Sequence, residues 1–99
     1  MQERFAASRL TRGNVLFPTM IVVTDHDVMR HKRSWLRLSE ESIAIRNVAS
    51  IEITTGLFWS DIRIESSGGT DPIESHGHSK RDARRIKDLI ESMQAALPA

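Results

Sequence analysis

Glu74, His76 and His78 are the residues of this chain whose types and spacing come nearest to a reaction centre. In an extended strand alternate side chains share a face. Glu74, His76 and His78 would then point one way, and Ile73, Ser75 and Gly77 the other. Successive members of the trio would stand about 6.5–7 Å apart at Cα. One carboxylate and two imidazoles form a donor set that zinc accepts. The same run reads as the solvated face of a strand, with no fourth ligand assignable, so the three are weak metal candidates and no cofactor is expected. Nucleophilic catalysis needs a hydroxyl or thiol beside a base and an orienting group. The chain has no cysteine, and no nucleophile elbow surrounds its serines. "GNVLFP", "TTG" and "SSGG" lack the spacing of phosphate loops. Asp25, His26 and Asp27 read as turn chemistry. No catalytic residue is assigned, and the chain is expected not to be an enzyme.

Binding surfaces are better represented. Arg30, Lys32, Arg33 and Arg37 form the densest basic cluster, a candidate anion or lipid patch. The same charges would also protect an edge strand from aggregation. Trp35 is the one aromatic residue interleaved with them, a poor stacking platform for bases. The net charge of +1 is not that of a nucleic-acid binder. Trp35, Leu57 and Trp59 fall on the outward parity of their strands, where large apolar side chains mark partner contacts. They are the candidate partner-binding residues. The start of the last helix, at Ser79, Lys80 and Arg81, could hold an anion, unless Ser79 and Asp82 cap it themselves.

These residues must be positioned by short strands and one helix. Ninety-nine residues are enough for one core. "MIVVTD" reads as a strand, "DHD" as a turn and "VMRHKR" as a second, charged strand. "WLRL" places Leu36 and Leu38 on one face, and "SEES" reads as a turn. In "SIAIRNVASIEIT" the phase changes between Ile43 and Ile45 and the later Ile51 and Ile53, which predicts a kink or bulge near Asn47. "FWSDIRIES" turns Phe58, Ser60, Ile62 and Ile64 inward. "SSGGTD" is a turn, and "PIESHG" a last strand. Gly77 suits a positive φ or a close helix approach. From Ser79 the period becomes helical: Ala83, Ile86, Ile90, Met93 and Leu97 form one stripe, with Leu89 alongside. The predicted helix over 80–96 would be about 25 Å long.

The expected fold is mainly β with one C-terminal helix, α+β by count. It is a small antiparallel barrel or pair of orthogonal sheets of about seven strands, capped by the amphipathic helix. Residues 1–13 are expected as an N-terminal arm of undecided form (frayed, helical or a partner strand). Residues 14–97 are expected as a single domain, with strands to about residue 78.

The order of "IVVTDHDVMRHK", "ESIAIRNVASIEITTG", "DIRIESSGG" and "PIESHGHSKRDARRIKDLIE" resembles the bacterial pleckstrin-homology-like domains. The resemblance covers roughly Thr19 to Ile90. It implies a seven-stranded PH-like barrel closed by a helix. It also implies a mostly non-enzymatic role in protein interaction or self-assembly, with no shared catalytic residues. In lipid-binding pleckstrin-homology folds, basic residues on early strands meet headgroups, which points to the Arg30–Arg37 cluster. Ser60 and Asp61 stand where glycine is more usual. An SH3-like or other small barrel is the structural alternative.

Charge is unevenly placed. Residues 1–38 carry an excess of four positive charges, residues 39–79 an excess of five negative and residues 80–99 an excess of two positive. Such a dipolar chain can steer a charged partner or pair with itself. With no cysteine, no spanning apolar run and no secretory h-region, the expected compartment is the cytoplasm. A protein partner or a second copy is expected, with a peripheral anionic membrane as the alternative and no transmembrane segment.

Overall fold

A computed structural model describes residues 2–8, 17–69 and 71–98. The elements run β1 (Gln2–Ala6), β2 (Met20–Thr24), β3 (Asp27–Arg33), β4 (Leu38–Ala44), a 3₁₀ turn (Ile45–Asn47), β5 (Val48–Thr55), β6 (Ser60–Ser66), β7 (Ile73–His78) and α1 (Lys80–Ala95). All strand pairs are antiparallel, in one sheet ordered β1-β2-β3-β4 and another ordered β5-β6-β7. β4 and β5 are not hydrogen-bonded to each other, so the structure is a pair of sheets, not a closed barrel.

The core forms where alternating apolar positions of both sheets face each other. Phe5, Ile21, Val23, Val28 and Ile43 come from the first sheet, and Ile62, Ile64 and Ile73 from the second. α1 covers them with Ala83, Ile86, Leu89 and Ile90, the predicted stripe; Met93 is partly buried and Leu97 lies past the helix end. Its cap is as expected: the Ser79 hydroxyl accepts the Asp82 N–H at 3.1 Å, which uses a donor that an anion would need. At the far end of α1, the Gln94 side-chain amide donates to the carbonyls of Ile45 (3.0 Å) and Val48 (2.8 Å). It thereby ties α1 to the corner between the sheets, where the Ile45 carbonyl also accepts the Val48 N–H.

The predicted kink near Asn47 is that corner. The 3₁₀ turn of Ile45–Asn47 is followed by a register shift between Val48 and Ser50. The "DHD" turn is held by Thr24, whose hydroxyl donates to Asp27 Oδ1 at 2.7 Å and accepts the N–H groups of His26 and Asp27.

Three expectations fail, and one open alternative is narrowed. Of the forms left open for the N-terminal arm, Gln2–Ala6 takes the strand: it pairs with β2 along its whole length and sends Phe5 into the core. Residues 9–13 of that expected arm lie outside the described residues. "SEES" is not a turn but the middle of β4, an edge strand with Ile43 alone in the core cluster, so its polar composition hid it. Leu36 and Leu38 share no buried face. Ser34 N–H donates to Arg37 O at 2.8 Å, which makes residues 34–37 a hairpin tip and leaves both leucines exposed. Phe58 is exposed too, because the tight turn in which Gly56 N–H donates to Trp59 O takes its place, and β6 starts only at Ser60.

The last strand contains the decisive irregularity. Ser60 stands opposite His78, but Ile62 stands opposite Ser75, so β7 holds one residue more than β6 over that span. Gly77, with φ +86°, absorbs it, forming a bulge with glycine in the left-handed region. An L side chain there is strained by roughly 1–2 kcal/mol. Gly77→Ala is therefore expected to lower unfolding free energy by about that amount, read from urea melts of the two proteins.

Candidate functional site

The bulge decides the histidine trio. Past Gly77 the alternation of β7 is reset, and His78 turns into the core, where it is fully buried. Its Nε2 lies 2.6 Å from the Ser75 hydroxyl. His76 stays outside, with Nδ1 3.3 Å from Asp61 Oδ1. Glu74 is paired with Arg63, which also donates to Glu65 at 2.9 Å. Glu74, His76 and His78 therefore do not converge, because a one-residue insertion moves the third member to the opposite face. Among the described residues, no group of three His, Asp or Glu side chains could hold a metal ion.

Sequence reasoning missed what replaces the trio. Ser60, Ser75 and His78 form a buried polar knot beneath the start of α1. Ser60 Oγ and His78 Nδ1 have no hydrogen-bond partner there. The signal in the sequence was Gly77 itself, a residue that permits the alternation to skip. The Ser75–His78 pair resembles a nucleophile and its base, but both side chains are shut away from solvent, so no substrate reaches them. Burial pushes the His78 pKa down to about 4, against the opposing pull of Asp82 and Asp61 and with a small contribution from His76. The imidazole is held neutral.

The basic cluster divides into two parts. Arg30 and Lys32 follow Val28 on the inward side of β3 and are occupied. Arg30 Nη1 lies 2.6 Å from Glu41 Oε1, and Lys32 Nζ donates to the Phe17 carbonyl at 2.7 Å. Burial first, and then Arg30, lowers the Lys32 pKa. Arg33 and Arg37 lie at the hairpin tip and are exposed. Between them stand Trp35 and Leu36, 79% and 95% exposed, with Leu38 at 60%. Trp35 is steadied by an edge-to-face contact with Phe17, ring centroids 5.3 Å apart. A second apolar tip, between β5 and β6, carries Leu57 (82% exposed) and Phe58 (73%). Trp59, expected to point outward, is half-buried. Trp35 and Leu57 are thus exposed, and Leu36, Leu38 and Phe58 are exposed with them.

Two shallow hollows flank β7. One, of about 240 Å³, is lined by Arg30, Glu41, Pro72, Glu74 and His76. The other, of about 200 Å³, lies on the outer face of the second sheet, among Glu52, Thr54, Asp61, Arg63, Glu74 and His76. Their charged side chains are largely paired with one another.

No protein-family model matches the chain, and no curated protein is significantly similar to it. Among solved structures it is similar to the crystal structure of a DUF1696 family protein with a pleckstrin-homology domain from Shewanella loihica PV-4. The TM-score is 0.59 at 18% identity, and the match covers 93% of this chain and 82% of that one. The fold is pleckstrin-homology-like. In this chain the fold consists of antiparallel sheets of four and three strands with one C-terminal helix. No helix among the described residues is long and apolar enough to cross a membrane.

The buried imidazole makes a pH prediction. Its folded pKa of about 4 lies below the ordinary 6.5, so the unfolded chain takes up the proton first. The His78 contribution is constant above about pH 6.5 and is lost as pH falls towards 4, by roughly 3 kcal/mol in all. Urea midpoints measured across this window are expected to fall steeply for the wild type. They should fall less in His78→Leu, whatever that variant's absolute stability.

Proposed function

We propose that this PH-like domain is a non-enzymatic interaction module that binds protein, second copies of itself included, through the tips of its β3–β4 and β5–β6 hairpins. One observation carries the reading. Trp35, Leu36, Leu38, Leu57 and Phe58 are exposed at hairpin ends, while the other large apolar side chains of the strands are at least partly buried. Water-exposed apolar side chains of this size, gathered at tips, are the usual core of a contact surface. The fold supports the non-enzymatic part, since the Ser75–His78 pair is closed off and the outer carboxylates face Arg63 and His76.

A second reading is favoured by Arg33 and Arg37, which flank the Trp35–Leu36 tip. An anionic membrane surface would take the apolar tip between headgroups and meet both guanidinium groups.

Light scattering across a concentration series separates the readings. The double variants Trp35→Ser/Leu36→Ser and Leu57→Ser/Phe58→Ser should fold normally, as exposed positions do, within about 0.5 kcal/mol of wild type. Both are expected to weaken concentration-dependent association. Association unchanged in both would dismiss the tips as the contact surface. Co-sedimentation with vesicles of phosphatidylserine and phosphatidylcholine tests the membrane reading. Arg33→Glu/Arg37→Glu should abolish binding there and leave light scattering unaltered.

A further inference from the structure

Among the described residues, the sheet edge formed by β5 is open: β5 pairs with β6 on one side and with no strand on the other. The hydrogen-bond phase says which groups face out. Gly56 N–H donates to Trp59 O at 2.8 Å, and the register continues through Thr54↔Asp61 and Glu52↔Arg63. In an antiparallel ladder, hydrogen-bonded pairs alternate with non-bonded ones. Thr54 and Glu52 therefore turn their backbone groups toward β6. Ile51, Ile53 and Thr55 turn theirs to the open edge.

Exposed edges are normally blunted by charge, proline, bulges or a covering segment. β4 carries Glu40 and Glu41. β7 packs near β3 and β4, and its Gly77 carbonyl accepts the Ser8 N–H at 2.8 Å. The Val48 end of β5 is occupied by Gln94. From Ile51 to Thr55, β5 has no bulge, no proline and a single charge, Glu52.

We propose that this edge pairs with the β5 edge of a second copy of this chain, antiparallel, about a two-fold axis at Ile53. The proposal rests on the self-association part of the reading above and adds the β5 edge to the hairpin tips as a second contact between copies. The occupant follows from self-complementarity. To keep both faces of the joined sheet continuous, inward residues must meet inward residues. An axis at Glu52 would bring two carboxylates together. An axis at Ile51 runs into the bulge between Val48 and Ser50, and one at Thr54 runs into the hairpin at Gly56. An axis at Ile53 sets Ile53 against Ile53, Ile51 against Thr55 and Glu52 against Thr54. It would form about six backbone hydrogen bonds. It also brings Leu57 beside Ala49 of the second copy.

Sedimentation velocity over a wide concentration range tests this. Thr55→Pro removes an edge donor without touching the β6 ladder and is expected to weaken the dimer about tenfold or more. Thr54→Lys, placed against Glu52 of the second copy, should tighten it roughly threefold, and Thr54→Glu should weaken it by a similar factor. A monomer at every concentration overturns the proposal. So does a dimer indifferent to all three variants. Were Thr55→Pro not to fold, amide exchange in the wild type would decide. Protection at Ile51, Ile53 and Thr55 must rise with concentration, and protection independent of concentration overturns it. Association lost in Trp35→Ser/Leu36→Ser but intact in Thr55→Pro overturns the edge contact and leaves the tip reading standing.

Discussion

The positive φ of Gly77 is the constraint on which the rest of this molecule turns. Because the chain skips one residue there, the strand alternation that places Ile73 and Ser75 inward also places His78 inward. The next residue then caps a helix. The skip therefore lays the first turn of α1 directly over the closing end of the second sheet. From there Ala83, Ile86, Leu89 and Ile90 reach the core. The cost is a buried imidazole with one nitrogen unpartnered, tolerable only because it stays neutral.

The other end of the helix is secured differently. The corner from β4 to β5 must break the ladder to change sheets; the Ile45 carbonyl accepts the Val48 N–H there, and it and the Val48 carbonyl both lie within reach of α1. The Gln94 side chain gives both a donor. Between these two points the sheets are joined by isoleucine and valine packing and need not close hydrogen bonds into a barrel. An open pair of sheets leaves edges and hairpin tips facing water. Among the described residues, those are the places where exposed apolar side chains and an uncovered strand edge lie, and an interaction module would use both.

Much of the architecture was legible in the residues. The run of strands followed by one helix, the Ser79 cap, the kink near Asn47 and the inward set Ser60, Ile62 and Ile64 all follow from local periodicity. The failures share a cause. Hydrophobic alternation reports burial, and β4 is an edge strand whose polar residues never needed to be buried, so "SEES" looked like a turn. Leu36, Leu38 and Phe58 were given inward places by the same rule, although hairpin tips had taken them out of the sheets. The candidate sites fared likewise. Arg30 and Lys32 look equivalent to Arg33 and Arg37 in sequence. Only the pairing of β3 with β4 and the return of the chain at Phe17 show that the first two are occupied.

The sequence by itself determined that the chain builds sheets first and a capping helix last, because period two and period 3.6 are properties of neighbouring residues. Only the tertiary structure decided which face each polar side chain occupies. That depends on one-residue offsets between strands far apart in the chain. A bulge at Gly77 separates His78 from Glu74 and His76, and a hairpin tip turns Trp35 and Leu36 out between two arginines. Local spacing carries no record of such offsets, since the energy that selects them comes from packing and hydrogen bonds across strands.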